Sequence, residues 1–235
     1  LFAAIMINPN FPPFDDEKCR QTFSVILQSA LADNANENLV FSSSIFVPII
    51  PGYISEVNKE KLAIDPACVK RMQESTISWA RVKSKRVPFF EKILADTVRK
   101  LNCKEQVIEV ENPSDIEPLF TQGKVAFRNF GSGFWALDPV GDLQMLFTPN
   151  LHPMLKFISN DSHLRKLLND LDEVSDGNVT DAMAAINRYI YKDSKMNVIL
   201  HTRRFYASRD HSILRELAQG VANPAPWQVF ATENR

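Results

Sequence analysis

The chain has 235 residues, of which 45% are hydrophobic and 23% charged, and its formal net charge is −1. This composition is typical of a globular protein that buries its own core, and the seven glycines favour helices over a many-stranded sandwich. The longest uncharged run, 18 residues between Glu37 and Glu56, contains Pro48 and Pro51, which argues against a membrane span.

Cysteine usage and the N-terminal sequence predict the compartment. Cys19, Cys68 and Cys103 are scattered and odd in number, without a C-x-x-C pair, a pattern that predicts a reducing compartment and no disulfide framework. The apolar start "LFAAIMI" lacks the length and the basic flank of a signal peptide. The sequence therefore predicts a soluble, cytoplasmic protein.

Helical periodicity dominates the first half of the chain. Residues 15–33 carry apolar side chains every three or four positions, behind a capping pair Asp15–Asp16. A second helix is predicted from Asp65 to about Trp79, with proline at its first position. A third is predicted to begin at Pro88.

Three more helices are predicted in the second half, each behind a capping residue: Ser162, Thr180 and Asp210. The last of them ends at Gly220, a C-terminal stop. Between the halves, residues 106–120 contain two prolines and a capping-box pattern, which indicates a boundary. The predicted architecture is mainly α and two-lobed, with an N-terminal arm (1–14), an N-terminal helical lobe (15–112), a C-terminal helical lobe (113–220) and a C-terminal arm (221–235).

Charge is distributed unevenly along the chain. Residues 59–104 carry a net charge of +7 and residues 188–215 one of +5, whereas residues 105–117 hold five acids and no base. One interpretation is that the basic runs are solvated helix faces with acids opposite them in space. The other is that each lobe supplies one wall of a positive groove that attracts a polyanion.

Aromatic side chains beside both basic blocks favour the groove. Cations that follow phosphates, combined with aromatic faces on which bases stack, are what single-stranded nucleic acid requires. The predicted phosphate-binding residues are Arg81, Lys83, Lys85, Arg86, Arg203, Arg204 and Arg209, and the predicted stacking residues are Trp79 and Tyr206.

The two ends of the chain are poor in charge and rich in proline and apolar residues. Proline keeps such segments extended, and an extended apolar arm must be covered, either by its own domain or by a neighbouring subunit. The second option predicts head-to-tail oligomers held together by Phe11, Phe14, Trp227 and Phe230.

No catalytic motif is recognisable, and the four histidines lack metal-ligand spacing, so the sequence predicts no enzyme activity, no cofactor and no metal. By analogy of architecture alone, the predicted function is that of a viral nucleoprotein or helical capsid subunit. It would bind single-stranded RNA without sequence preference, in the cytoplasm or in a virion. The alternatives are a scaffold protein with acidic protein partners and an enzyme whose site is not recognisable.

Overall fold

A computed structural model of the protein describes residues 2–34, 40–48, 50–54, 62–83, 89–133, 138–149, 151–174 and 178–201. The strands in these ranges are β1 (Phe2–Ile7), β2 (Val40–Phe41), β3 (Thr76–Val82), β4 (Lys104–Val110), β5 (Phe127–Ser132) and β6 (Met196–His201). The α-helices are α1 (Glu17–Asp33), α2 (Pro66–Glu74), α3 (Phe89–Leu101), α4 (Ile116–Thr121), α5 (Pro139–Leu146), α6 (Lys156–Ser159), α7 (Ser162–Asp172) and α8 (Val179–Asp193). Short 3₁₀ turns precede α4 and α6.

The first strand lies in the middle of the larger sheet. This sheet has four strands in the order β2-β6-β1-β5, and β1 pairs antiparallel with both of its neighbours. All six residues of β1 are buried. A strand covered on both faces is apolar at every position, which is why residues 2–7 contain no polar side chain.

The sheet separates two hydrophobic cores. Alternate side chains of a strand point to opposite faces, so Phe2, Ala4 and Met6 join a core that includes residues of α5, α7 and α8. Ala3, Ile5 and Ile7 join a second core that includes residues of α1, α2 and α3. One short strand therefore anchors both layers of helices.

A second, parallel sheet is built from one βαβ unit. Strands β3 and β4 pair in parallel through the crossover helix α3, with Thr76 opposite Lys104 and Val82 opposite Val110. The backbone N–H of Ala126 donates to the carbonyl of Ser78 at 2.7 Å. This bond connects β3 to the residue that precedes β5, so the two sheets lie edge to edge.

The structure is mixed α/β, and the prediction of a mainly α, two-lobed protein is wrong. Segments on both sides of residue 112 contribute strands to the same sheet, together with the predicted N-terminal arm. The helix predicted to reach Trp79 ends at Glu74, and residues 76–82 form β3 instead. Helix α1 is confirmed, with the carboxylate of Asp16 capping the N–H of Lys18.

The N-terminal arm belongs to the core of its own chain. Phe14 is fully buried, with ring centroids 5.3 Å from Phe23 and 5.2 Å from Phe127. Phe11 packs partly buried against the same core. Phe14 is therefore covered by its own chain rather than by a neighbouring subunit. The C-terminal arm, with Trp227 and Phe230, lies outside the described residues.

Two of the three cysteines form a disulfide, contrary to the prediction. Cys19 in α1 and Cys68 in α2 are bonded, while Cys103 is free. The pair is 49 residues apart in sequence, and only the packing of α1 against α2 brings the two sulfurs together. Spacing along the chain gave no sign of it.

A helix that crosses a bilayer needs about 20 mostly apolar residues. No helix among the described residues combines that length with that composition.

Candidate ligand-binding site

Two predicted phosphate-binding residues of the first basic block, Arg81 and Lys83, are paired with acids. The parallel register places Arg81 of β3 opposite Glu109 of β4, and the guanidinium Nε of Arg81 donates to the Glu109 carboxylate at 3.1 Å. That hydrogen bond is the main cause of the raised pKa of Arg81. Lys83 forms the next ion pair, with Glu111. The acids of the predicted connector therefore neutralise these two bases.

Trp79 offers no free face for a stacked base. Its side chain is 3% exposed, and its indole Nε1 donates to a carboxylate oxygen of Glu105 at 2.7 Å. The other predicted nucleic-acid contacts, Lys85, Arg86, Arg203, Arg204, Tyr206 and Arg209, lie outside the described residues. In the described part of β3, the interpretation as a solvated face with acids opposite agrees with the contacts.

A cavity with mainly apolar walls and two charged side chains lies where the two sheets meet. This cavity has a volume of about 340 Å³, within the size range of small-molecule sites. Its walls come from β3, α3, the 3₁₀ turn before α4, α4 itself and β5. The lining residues are Trp79, Ala80, Val82, Phe90, Glu91, Leu94, Pro113, Ile116, Phe127, Arg128 and Asn129.

Arg128 is the unusual member of this wall. Its side chain is 13% exposed, and its buried Nη1 has no hydrogen-bond partner among the described residues. The nearest acid, Glu117, lies 3.6 Å from Nη1, too far for a good hydrogen bond. Burial lowers the pKa of Arg128, while the charge of Glu117 raises it. A buried donor without a partner is costly, and an anionic group in the cavity would supply that partner.

Glu91 adds an acid to the same wall. Burial raises the pKa of its carboxyl group, and the charge of Arg81 partly offsets this effect. The cavity therefore combines aromatic and aliphatic walls with a guanidinium and a carboxyl group, the composition expected of a site for a small polar organic molecule.

Sequence reasoning predicted neither Arg128 nor Glu91 as a site residue. Both lie outside the densest basic run, and Glu91 appears in the sequence as an ordinary acid in the first turn of a helix. The one available signal was Arg128 itself, the single charged residue in the sequence "VAFRNFGSGF" (125–134).

No family model and no curated protein matches the chain, but its fold is found in solved structures. HbpA2 from Haemophilus parasuis matches 86% of the chain with a TM-score of 0.65 at 16% identity. The oligopeptide-binding protein AppA from Bacillus subtilis, in complex with a nonapeptide, matches 86% with a TM-score of 0.62 at 12% identity. The ABC transporter substrate binding protein CtaP from Listeria monocytogenes matches 86% with a TM-score of 0.59 at 14% identity.

At such low identity, the similarity shows a shared fold and nothing finer. The chain spans less than half the length of these proteins, namely 42% of HbpA2, 44% of AppA and 43% of CtaP. Of the three structures named above, AppA is an oligopeptide-binding protein and CtaP an ABC transporter substrate binding protein, and none is named as a nucleoprotein. The prediction of an RNA-binding nucleoprotein or capsid subunit, with single-stranded RNA as its partner, is therefore wrong.

Proposed function

We propose that the chain binds a short peptide, or a similar small molecule with a carboxylate group, as the substrate-binding component of an uptake transporter. The single observation that carries this proposal is the buried guanidinium Nη1 of Arg128, which lacks a hydrogen-bond partner among the described residues and lies in a largely apolar cavity. The shared fold with an oligopeptide-binding protein supports the same class of ligand.

The ligand's carboxylate would accept hydrogen bonds from Arg128. Charge-assisted hydrogen bonds of this kind are about twice as strong as neutral ones. The ligand would not have to displace a strong internal hydrogen bond of Arg128 Nη1, because the carboxylate of Glu117 is 3.6 Å away. The half-buried side chains of Phe90 and Val82 would cover the apolar part of the ligand. The affinity would thus come from burial of the ligand's apolar part, and the ligand's orientation from its hydrogen bonds with Arg128.

Binding in this form includes no chemical step, in agreement with the expectation that the chain is not an enzyme. In periplasmic binding proteins, two domains close around the ligand. Because the chain spans 44% of the length of AppA, the cavity would supply one wall of such a site.

The cysteines bear on the compartment. The Cys19–Cys68 disulfide favours an oxidising compartment, since disulfides are rare in the cytosol. We therefore prefer an extracytoplasmic location to the cytoplasmic one expected from cysteine spacing. Thiol labelling of the protein in fractionated cells would decide between them.

The test uses calorimetric titration of the 235-residue chain with a pool of synthetic nonapeptides, once with free C-termini and once with amidated ones. We expect the amidated pool to bind at least about tenfold more weakly, because a hydrogen bond to a charged group contributes about 1.5–3 kcal/mol. Arg128→Gln should reduce binding of the free-acid pool to that of the amidated pool. The matched control is Arg99→Gln, at an arginine that is 76% exposed on α3.

Equal affinity of both pools for the wild-type chain would overturn the role of Arg128. The absence of any heat of binding with either pool would overturn the peptide-binding function itself. A melting curve of each variant shows whether a loss of binding reflects a loss of the fold.

A further inference from the structure

Two helix N-termini meet at the disulfide, and their sequences are alike. Asp16 caps α1 and Asp65 caps α2, each through hydrogen bonds from backbone N–H groups of the first turn. In both helices the third residue is a cysteine, in "DEKC" (16–19) and "DPAC" (65–68). Both sulfurs therefore belong to the first turn of a helix, where the positive end of the helix dipole stabilises a thiolate.

A third metal-binding side chain lies beside this pair. A carboxylate oxygen of Asp16 and the Sγ atoms of Cys19 and Cys68 all lie within 4.8 Å of one another. Zinc binds thiolate sulfur at about 2.3 Å and carboxylate oxygen at about 2.0–2.2 Å, so its ligands in a tetrahedral site are roughly 3.5–3.8 Å apart. The cluster brings together the donor atoms of a zinc site, and the two sulfurs, which are bonded to each other in the disulfide, would move apart to this ligand spacing once they are reduced.

We propose that the reduced form of this cluster binds one Zn²⁺ through Cys19, Cys68 and Asp16, with water as the fourth ligand. Both sulfurs are buried, at 0% and 2% residue exposure, whereas the side chain of Asp16 is 37% exposed and leaves a route for the ion and for the water ligand. The oxidised form of the same residues is the disulfide.

Arg71 balances the charge of the metal site. Its Nη1 lies 2.7 Å from Oδ2 of Asp16 and 3.6 Å from Sγ of Cys19. Two thiolates, one carboxylate and Zn²⁺ give a net charge of −1, which the guanidinium neutralises. The two helix N-termini also favour a negatively charged site. Arg71 is thus a second-layer partner of the metal ligands.

The two forms interconvert through a balanced reaction. A dithiol reductant transfers two electrons and two protons to the disulfide, which breaks the Sγ–Sγ bond, yields two thiols and converts the reductant to a disulfide. Zn²⁺ then replaces the two thiol protons, which pass to solvent. Each form links α1 to α2, so the link survives reduction as long as zinc is present.

The experiment titrates Co²⁺, and then competing Zn²⁺, into the 235-residue chain after reduction with dithiothreitol and desalting under argon. A Cys103→Ser background removes the free thiol. We expect one equivalent of Co²⁺ with a thiolate-to-cobalt charge-transfer band, its displacement by one equivalent of Zn²⁺, and no band with the oxidised chain. Absence of the band from the reduced chain would overturn the proposal.

Two matched variants test the carboxylate ligand. Asparagine is as good an N-cap as aspartate, so Asp16→Asn and Asp65→Asn both preserve their helix starts. We expect Asp16→Asn to weaken Zn²⁺ binding at least about tenfold, since even the loss of a residue that only holds a metal ligand in place costs about that much. Asp65→Asn should leave the affinity for Zn²⁺ unchanged. Equal affinities for the two variants would overturn Asp16 as a ligand.

Cys68→Ser should abolish the charge-transfer band. A band of unchanged intensity in this variant would overturn the thiolate pair as the site. If the melting curve shows that Cys68→Ser is unfolded, the oxidised wild-type chain replaces it, because its fold is intact and its thiolates are absent.

Discussion

Replacing Asp161 by asparagine is expected to remove a pH-dependent part of the stability of this protein. Asp161 caps α7 through the N–H groups of His163 and Leu164. Its carboxylate also accepts a hydrogen bond from the hydroxyl of Tyr189 at 2.6 Å and contacts Nζ of Lys195 at 3.1 Å. Asn keeps the cap and removes the charge.

The magnitude follows from the pKa of this carboxyl group. Burial raises the pKa, but the hydrogen bonds from Tyr189 and Leu164 and the contact with Lys195 outweigh burial and lower it from 3.8 to about 2. The side chain is 19% exposed, so screening by solvent is limited. A shift of this size corresponds to about 2 kcal/mol of unfolding free energy.

The direction of the pH dependence is fixed by the lowered pKa. Because the folded-state pKa lies below the unfolded-state value of 3.8, the contribution is complete above about pH 5, declines as the pH falls through 3.8 and is lost near pH 2. At pH 3, about half of it remains. The variant should therefore be about 2 kcal/mol less stable than wild type at pH 7 and about 1 kcal/mol less stable at pH 3.

Urea denaturation of both proteins at pH 7, 5, 4 and 3, followed by circular dichroism, measures this difference. Asp65→Asn is the matched control, since Asp65 caps α2 and its side chain contacts only backbone N–H groups among the described residues. This control measures the effect of an aspartate-to-asparagine change at an N-cap without the tyrosine and lysine contacts of Asp161. A constant difference between wild type and Asp161→Asn from pH 7 to pH 3 would refute the role of the Tyr189 and Lys195 contacts.

Two further predictions concern buried contacts. Arg20→Met removes a guanidinium that donates to Asp193 Oδ1 at 3.2 Å and to the carbonyl of Phe14 at 3.0 Å. Urea denaturation should show that the free energy of unfolding falls by about 3 kcal/mol, the lower end for breaking a buried ion pair, because Lys195 still pairs with Asp193. A decrease below about 1 kcal/mol would contradict a buried ion pair. Phe14→Ala should lower the free energy of unfolding by about 3–5 kcal/mol and leave the mass measured by light scattering unchanged. A smaller assembly at unchanged stability would instead support docking of the N-terminal arm on a neighbouring subunit.

The predictable part of the fold is its amphipathic helices. Helix α1 is visible in the sequence because one face is buried and the other exposed, which leaves a period of three to four residues, and because Asp16 marks its start. Helix α7 shows the same pattern, although its cap is Asp161 rather than the predicted Ser162. These signals are local, so a single sequence contains them.

The strands escaped prediction for a different reason in each case. β1 is buried on both faces, so it lacks alternation, and the prolines that follow it suggested an arm. β3 follows α2 after the single residue Ser75, and Ile77 and Trp79 continue the apolar pattern of the helix. β4 lies mostly exposed or half-buried, so its acids looked like a connector. Each of these strands depends on pairing with a segment that is distant in sequence.

The candidate site shows why function was harder to predict than the helices. Along β3 and β4, three contacts join residues that are 28 apart: Ser78 with Gln106, Arg81 with Glu109 and Lys83 with Glu111. A constant offset is the consequence of parallel pairing through one crossover helix. The two described bases of the most basic run, Arg81 and Lys83, are therefore neutralised by acids of the most acidic one, and the density of bases in the sequence says little about ligands.

Arg128 has no such partner in register. Its neighbour across the sheet is Met6 of the apolar strand β1. A carboxylate oxygen of its nearest acid, Glu117, lies 3.6 Å from Nη1. In the sequence Arg128 is an ordinary arginine. In the structure it is a buried cation whose Nη1 donates no hydrogen bond to the described residues. Charge counts along a chain find where bases are concentrated, whereas the pairing of the strands decides which buried base keeps a donor without a hydrogen bond among the described residues.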